Sequence, residues 1–223
     1  MLNRLALLCT TMLLSACAGA DAPDSKADFK PDPRPIGKTM VYDCSGYRFI
    51  ARLGPGEMAI WFEDQYIILS QVRSGSGSRY QEGETVFWVK GQEALLEKEG
   101  RSYRGCRQMP ALAPQADAFR RGVDFRATGN EPGWHLEITA GRHILFVTDY
   151  GERQVSVPDP GEIAEGASRI YHAVTEANDL HVEIVEELCL DTMADASYPN
   201  QVSVLLNGTA YHGCGQQVLP VWD

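Results

Sequence analysis

The chain has 223 residues, 44% of them hydrophobic and 22% charged, with a formal net charge of -10. That composition excludes wholesale disorder and a polytopic membrane protein, and the length allows about one to two domains. The acidic balance argues against a nucleic-acid partner, whose binders usually carry a basic field.

Residues 1–16, MLNRLALLCTTMLLSA, place one basic residue, Arg4, before an apolar run from Leu5 to Leu14. This is the layout of a secretory leader, too short to span a membrane stably. The run ends Leu14-Ser15-Ala16-Cys17. It resembles the lipobox of bacterial lipoproteins, which implies that Cys17 carries the acyl chains and begins the mature protein. Several acyl chains anchor stably where one does not. Ala18 follows the cysteine. By the sorting rule of those lipoproteins, this implies the outer membrane, on its periplasmic side.

Residues 17–39 read as a solvated tether, since positions 18–39 hold four prolines, four acids and four bases. Residues 40–108 follow. Apolar-rich runs at Tyr47 to Leu53, Glu57 to Glu63, Gln65 to Ser70, Thr85 to Lys90 and Gln92 to Lys98 are punctuated by turn residues such as Gly54-Pro55-Gly56. Short runs at this spacing predict an all-β sandwich or barrel.

Residues 109–118, MPALAPQADA, read as a second linker, and residues 119–223 as a second β-rich domain. Strict alternation in Trp134-His135-Leu136-Glu137-Ile138 and in Leu180-His181-Val182-Glu183-Ile184 predicts strands with one face buried and one wet. Arg142 to Asp149, Arg169 to Val174 and Gln201 to Leu206 are further strand candidates.

Four cysteines remain beside Cys17 once the leader is removed: Cys44, Cys106, Cys189 and Cys214. An even number suits an oxidising compartment. Three connectivities are open. The one that keeps each bridge inside one domain joins Cys44 to Cys106 and Cys189 to Cys214. Closing the first loop adds roughly 4 kcal/mol in the chain-entropy model.

The segment from Leu69 to Gly100 carries the functional pattern. Tyr42-Asp43-Cys44, the loop Ser74-Gly75-Ser76-Gly77-Ser78-Arg79-Tyr80, Val86-Phe87-Trp88-Val89-Lys90-Gly91, Glu93-Ala94 and Cys106 stand in order. Together they resemble the membrane-bound inhibitors of c-type lysozyme. The resemblance covers residues 40–108 and implies a small antiparallel β-barrel with a disulfide and a c-type lysozyme as partner. It implies that a loop serine and a loop lysine enter the enzyme's active-site cleft; by position these are Ser76 and Lys90. Gly75 and Ser78 depart from the alanines common in that family. Arg79 and Tyr80 complete the expected lysozyme-binding set, as braces of the loop against the barrel. Trp88 alternates with Val86 and is expected in the core.

The chemistry fits. Lysozymes cleave between two carboxyl groups. A lysine ammonium offers three donors and no acceptor, so it can bond both carboxyls while presenting no bond to cleave.

Residues 125–138, FRATGNEPGWHLEI, and residues 189–215, CLDTMADASYPNQVSVLLNGTAYHGCG, resemble a domain of uncharacterised bacterial envelope lipoproteins. That resemblance implies a β-rich fold and no transferable activity. His135, His143, His172, His181 and His212 all lie here without HxH or HxxxH spacing, so no metal site or cofactor is expected. No G-x-S-x-G or HExxH signature points to an enzyme. Residues 111–223 hold seventeen acids and six bases, against nine of each in residues 40–110. Animal c-type lysozymes are strongly basic as a family, so this acidity either steers them toward the chain or serves only to keep the domain soluble. The competing reading is an envelope binding or assembly lipoprotein that puts the barrel to other use.

Overall fold

The computed structural model describes residues 37–62 and 65–222. The expected leader, the expected lipidation site Cys17 and the expected tether up to residue 36 lie outside the described residues.

The first unit is a closed antiparallel barrel: β1 (Lys38–Cys44), β2 (Tyr47–Gly54), β3 (Glu57–Phe62), β4 (Gln65–Val72), β5 (Ser78–Glu82), β6 (Thr85–Lys90), β7 (Glu93–Lys98) and β8 (Arg101–Gln108). Each strand pairs with the next, and β8 returns to β1 through Tyr42↔Gln108 and Asp43↔Arg107. Closure leaves no sheet edge for another chain to pair with. The Cys44–Cys106 disulfide lies beside that seam. The interior is filled by Tyr42, Phe49, Phe62, Phe87 and smaller apolar residues, with Tyr42 and Phe49 each 5.1–5.5 Å from the Phe87 ring centroid. The expected fold class, an all-β chain with a small disulfide-bearing barrel followed by a second β-rich region, is the one observed.

The second unit contains β9 (Phe125–Asn130), β10 (Gly133–Thr139), β11 (His143–Thr148), β12 (Arg153–Pro158), β13 (Ile163–Glu165), β14 (Ser168–Val174), β15 (Asp179–Val185), β16 (Cys189–Asp191), β17 (Ala196–Tyr198), β18 (Asn200–Leu206) and β19 (Thr209–Gln217). Nine strands form one antiparallel sheet in the order β12-β11-β10-β9-β19-β18-β15-β14-β13, and β16 and β17 form a separate ribbon. Cys189 of the ribbon is bonded to Cys214 of β19. One sheet face buries Phe125, Trp134, Leu136, Phe146, Leu180, Val182, Val204 and Tyr211 in a single core.

Strand β15 shows the expected alternation, with Leu180, Val182 and Ile184 buried between less buried neighbours. Strand β10 does not. Glu137, on the face expected to be wet, is only 3% exposed. The reason lies in residues 109–118. A solvated linker is expected there, but Pro110–Leu112 form a 3-10 turn and Ala113–Arg120 form helix α1. Three alanines favour the helix, and Pro114 sits in its first turn, where the missing N–H has no intrahelical partner to lose. The helix buries Ala116 against Val41, Ile50 and Val221, with Trp61, Phe119 and Trp222 around them. Barrel and sheet are therefore joined by a packed apolar seam.

Charges lock the same seam. Thr39 Oγ1 donates to Asp117 at 2.7 Å, and Arg121 Nε donates to the other Asp117 oxygen at 2.8 Å. Arg121 then grips Glu137 with both terminal nitrogens, at 2.6 and 2.7 Å. The chain of contacts runs from β1 through α1 to β10. Removing Arg121 would strand the buried Glu137, so Arg121→Ala is expected to lower stability by roughly 2–4 kcal/mol in urea denaturation.

Burial pushes the Asp117 carboxyl up, but the hydrogen bonds from Thr39 and Arg121 outweigh it and hold it below its ordinary value of 3.8. A lowered folded pKa adds stability that is complete above the unfolded value and is lost as pH falls through the folded one. Denaturation midpoints below pH 3.8 should therefore drop less in Asp117→Asn than in the parent chain. An equal drop in both would remove Asp117 from the acid response.

Candidate functional site

The loop Arg73 to Gly77 links β4 to β5, and β6 runs beside β5 in the register Ser78↔Val89, Arg79↔Trp88, Tyr80↔Phe87. One hydrogen bond within the loop and one from the barrel fix its shape. Ser74 Oγ donates to the Gly77 carbonyl at 2.8 Å, and Trp88 Nε1 donates to the Ser76 carbonyl at 2.7 Å. Gly77 adopts φ +66°, and a Cβ there would run into the Val89 carbonyl oxygen. Only glycine permits that approach. Ser76, two residues before Ser78, is thereby pinned at the end of the β5–β6 ladder where Lys90 stands, one residue after Val89.

Lys90 closes β6 at a two-residue turn, Gly91-Gln92, and pairs in register with Glu93. Gly91 takes the positive φ, 66°, that such a turn demands at its first position. Ser76 and Lys90 are both exposed. Among the described residues, no hydrogen bond or ion pair engages the Ser76 hydroxyl or the Lys90 ammonium.

Tyr80 is 3% exposed and packs inside the barrel, while Arg79 is half-buried on the outer face opposite Trp88. Trp88 itself departs from expectation. It is half-exposed, on the outer face, and its indole is the strut that holds the loop. The signal was present in the strand: an outward Lys90 puts Trp88 outward by period two, and sends Phe87 and Val89 inward. The Tyr42-Asp43-Cys44 motif is structural. Tyr42 lies in the core, and Cys44 forms the disulfide. Asp43 accepts from Gly46 N at 2.8 Å and Arg48 Nε at 3.0 Å; the Gly46 bond, then the Arg48 bond, hold its carboxyl below the usual range.

The histidines are spread over the second unit. His172 Nε2 lies 2.8 Å from Asp179 Oδ1 and its ring packs edge-on to His181, while His212 Nδ1 is 3.1 Å from Ser203 Oγ. Among the described residues, no three His, Cys, Asp or Glu side chains are grouped to hold a metal ion.

The disulfide-bearing barrel thus presents, at one end, an exposed serine whose backbone carbonyl is held by Trp88 and an exposed lysine. Residues 42–104 match the family described as membrane-bound lysozyme-inhibitor of c-type lysozyme. Two relatives carry the name membrane-bound lysozyme inhibitor of C-type lysozyme. That of Escherichia coli (strain K12) is 35% identical over 65 residues, 28% of this chain and 60% of the relative. That of Yersinia enterocolitica is 26% identical over 68 residues, 30% of this chain and 58% of the relative. The match thus spans about three fifths of each relative and lies in the barrel region of this chain. Both relatives are named as inhibitors rather than enzymes. No solved structure matches the chain.

The two loop glycines should separate cleanly. Gly75 has nothing within 4 Å of a built Cβ and no positive φ. Gly75→Ala is expected to raise stability by about 0.4–1 kcal/mol through the unfolded chain. Gly77→Ala is expected to destabilise and to release the Trp88–Ser76 contact, read as a shift of the Trp88 indole N–H resonance.

Proposed function

We propose that this chain is a lipid-anchored inhibitor of c-type lysozyme, held by Cys17 at the outer membrane on the periplasmic side, where it shields peptidoglycan. Lys90 and Ser76 enter the enzyme's cleft. The observation that carries this reading is the exposed, unengaged pair at one end of a rigid ladder, in a barrel whose sequence matches the inhibitor family.

The cleft of such an enzyme works with one protonated and one ionised carboxyl. The Lys90 ammonium donates to both and occupies the position of the cationic transition state. The Ser76 hydroxyl donates or accepts, which suits either protonation state. Because the Ser76 backbone is already pinned by Trp88, less loop entropy is lost on docking. Arg79 and Tyr80 act from behind, Tyr80 through the core and Arg79 across the strand from Trp88.

Inhibition constants against a c-type lysozyme test the assignment. Lys90→Ala is expected to weaken inhibition about thirtyfold or more, because it leaves desolvated enzyme carboxyls unpaired at ~2 kcal/mol or above. Ser76→Ala should cost only a few-fold, ~0.5–1.5 kcal/mol. Full inhibition by Lys90→Ala would transfer the chain to the class of envelope binding or assembly lipoproteins.

The acidic second unit adds steering. Glu165, Glu176, Glu186 and Glu187 are exposed. Replacing all four with glutamine should lower the association rate with lysozyme at ~10 mM salt and flatten its salt dependence. Stopped-flow measurement of both chains decides it, and identical rates would assign the charge to solubility alone.

A further inference from the structure

We infer that the outer face of the second unit's sheet carries a binding cleft for a small carboxylate ligand, gripped by Arg126. The two segments that sequence reading singled out without a function meet here. The β9–β10 hairpin forms one wall and the β16–β17 ribbon the other; Asn130 Nδ2 donates to Asp191 Oδ1 across them at 2.8 Å. Pro114 and Gln115 of α1 and the 3-10 turn Asp149–Gly151 close the remaining sides. The cleft holds about 590 Å³ and adjoins a hollow of about 310 Å³ along β18 and β19. Sites for small molecules span roughly 300–1,000 Å³.

Its rim is built at a conformational cost. Asp149 and Tyr150 stand at φ 54° and 56°, a region that non-glycine residues rarely adopt and that tends to mark functional positions. The turn projects Tyr150, 83% exposed, over Gly133, where a Cβ would come within 2.7 Å of the ring. Met193, 75% exposed, rims the cleft from the ribbon. Large apolar side chains held this far into solvent, beside a cavity, are available to cover a ligand.

Its floor carries a cation that the fold leaves under-satisfied. Arg121 and Arg126 both stand beside Glu137, and Arg121 also bonds Asp117. Arg121 bonds both Glu137 oxygens, so Arg126 Nε stands 3.6 Å from the nearer one, beyond a hydrogen bond. Among the described residues, that buried Nε has no hydrogen-bond partner. Buried polar groups are nearly always bonded, and an exception invites an explanation. Burial also pushes the Arg126 guanidinium pKa down, as expected of a cation short of counter-charge.

The chemistry of the lining selects the ligand. A guanidinium fork matches a carboxylate. His135 beside it is pushed toward the neutral form, first by burial and then by Arg126, and supplies a neutral ring nitrogen. Asp191 Oδ1 is saturated by Asn130 Nδ2 and by the Met193 and Ala194 amides at 2.8–3.1 Å. Arg126, whose neighbouring carboxylate on Glu137 is bonded through both oxygens by Arg121, is matched by one planar carboxylate. Tyr150 and Met193 call for a compact ring or aliphatic body beside that carboxylate.

Two sources share this chemistry, an acidic sugar and a peptide C-terminus. Isothermal titration of the full chain with N-acetylmuramic acid and with N-acetyl-dialanine separates them. N-acetylglucosamine, amidated dialanine and inorganic phosphate are the controls. One carboxylate probe is expected to bind with a Kd below about 1 mM, and the controls at least tenfold more weakly. Arg126→Gln should weaken binding tenfold or more. Tyr150→Ala, at an exposed rim position that leaves the core intact, should weaken it several-fold. Neither variant should change lysozyme inhibition, so this result and that of the barrel are read independently. Absence of carboxylate binding, equal binding of phosphate, or undiminished binding in both variants overturns the proposal.

Discussion

Strand β1 is buried on both faces, and the rest of the molecule is arranged around that constraint. Its inward residues Met40, Tyr42 and Cys44 belong to the barrel interior, while Val41 faces outward into the seam with α1. A strand of a small barrel ordinarily has one wet face. Here the second face is taken up by Ala116, Val221 and the hydrogen bond from Thr39 to Asp117. The same strand closes the barrel through only two register pairs with β8, next to the disulfide. Closure, interior packing and attachment of the second unit all depend on it, so damage to β1 propagates in both directions.

A well-fixed barrel is what makes the β5–β6 end useful. The loop is not stiff by composition; Ser74 to Ser78 is a run of serine and glycine. It is fixed by one bond within itself and one from Trp88 of β6, and β6 is fixed by pairing on both sides to β5 and β7. Preorganisation of this kind limits the conformational entropy lost on binding. The indole of Trp88 therefore does more for the loop than the loop's own sequence does.

Much of this was legible in the sequence, and the failures are physical. Strands with several large apolar residues, such as Tyr47–Gly54 and Thr85–Lys90, announced themselves. Ser78–Glu82 buries a single side chain, Tyr80, and Arg101–Gln108 only Cys106, so neither produces a periodic signal. Their strand character comes from being clamped between neighbours. Ala113–Arg120 read as linker because alanine and proline are also linker residues; only a tertiary partner turns it into a packed helix. Glu137 read as a solvent-facing residue for the same reason. Its burial depends on Arg121, sixteen residues away, and no local pattern carries that. Ser76 and Lys90 were nameable as a candidate pair only through family resemblance, whereas Arg126 has no local signature at all.

The two cations at the centre of the proposed sites differ in the way lysine and arginine differ. Lys90 is a compact, strongly hydrated point charge held in water on a flexible stem. It suits a cleft that dehydrates it on entry and offers two carboxyls at differing positions. Arg126 is a planar fork that folding has already desolvated, within reach of a carboxylate its neighbour has taken. The cost of removing it from water is met by the core, not by the ligand. Exchanging the two residue types would fail at both sites. A guanidinium at position 90 would impose a fixed fork where the partner's two acids set the geometry, and an ammonium at position 126 would sit buried without the planar donors that a carboxylate needs. On the proposed readings, a solvated charge serves where the partner supplies the low-dielectric site, and a buried charge where the protein supplies it.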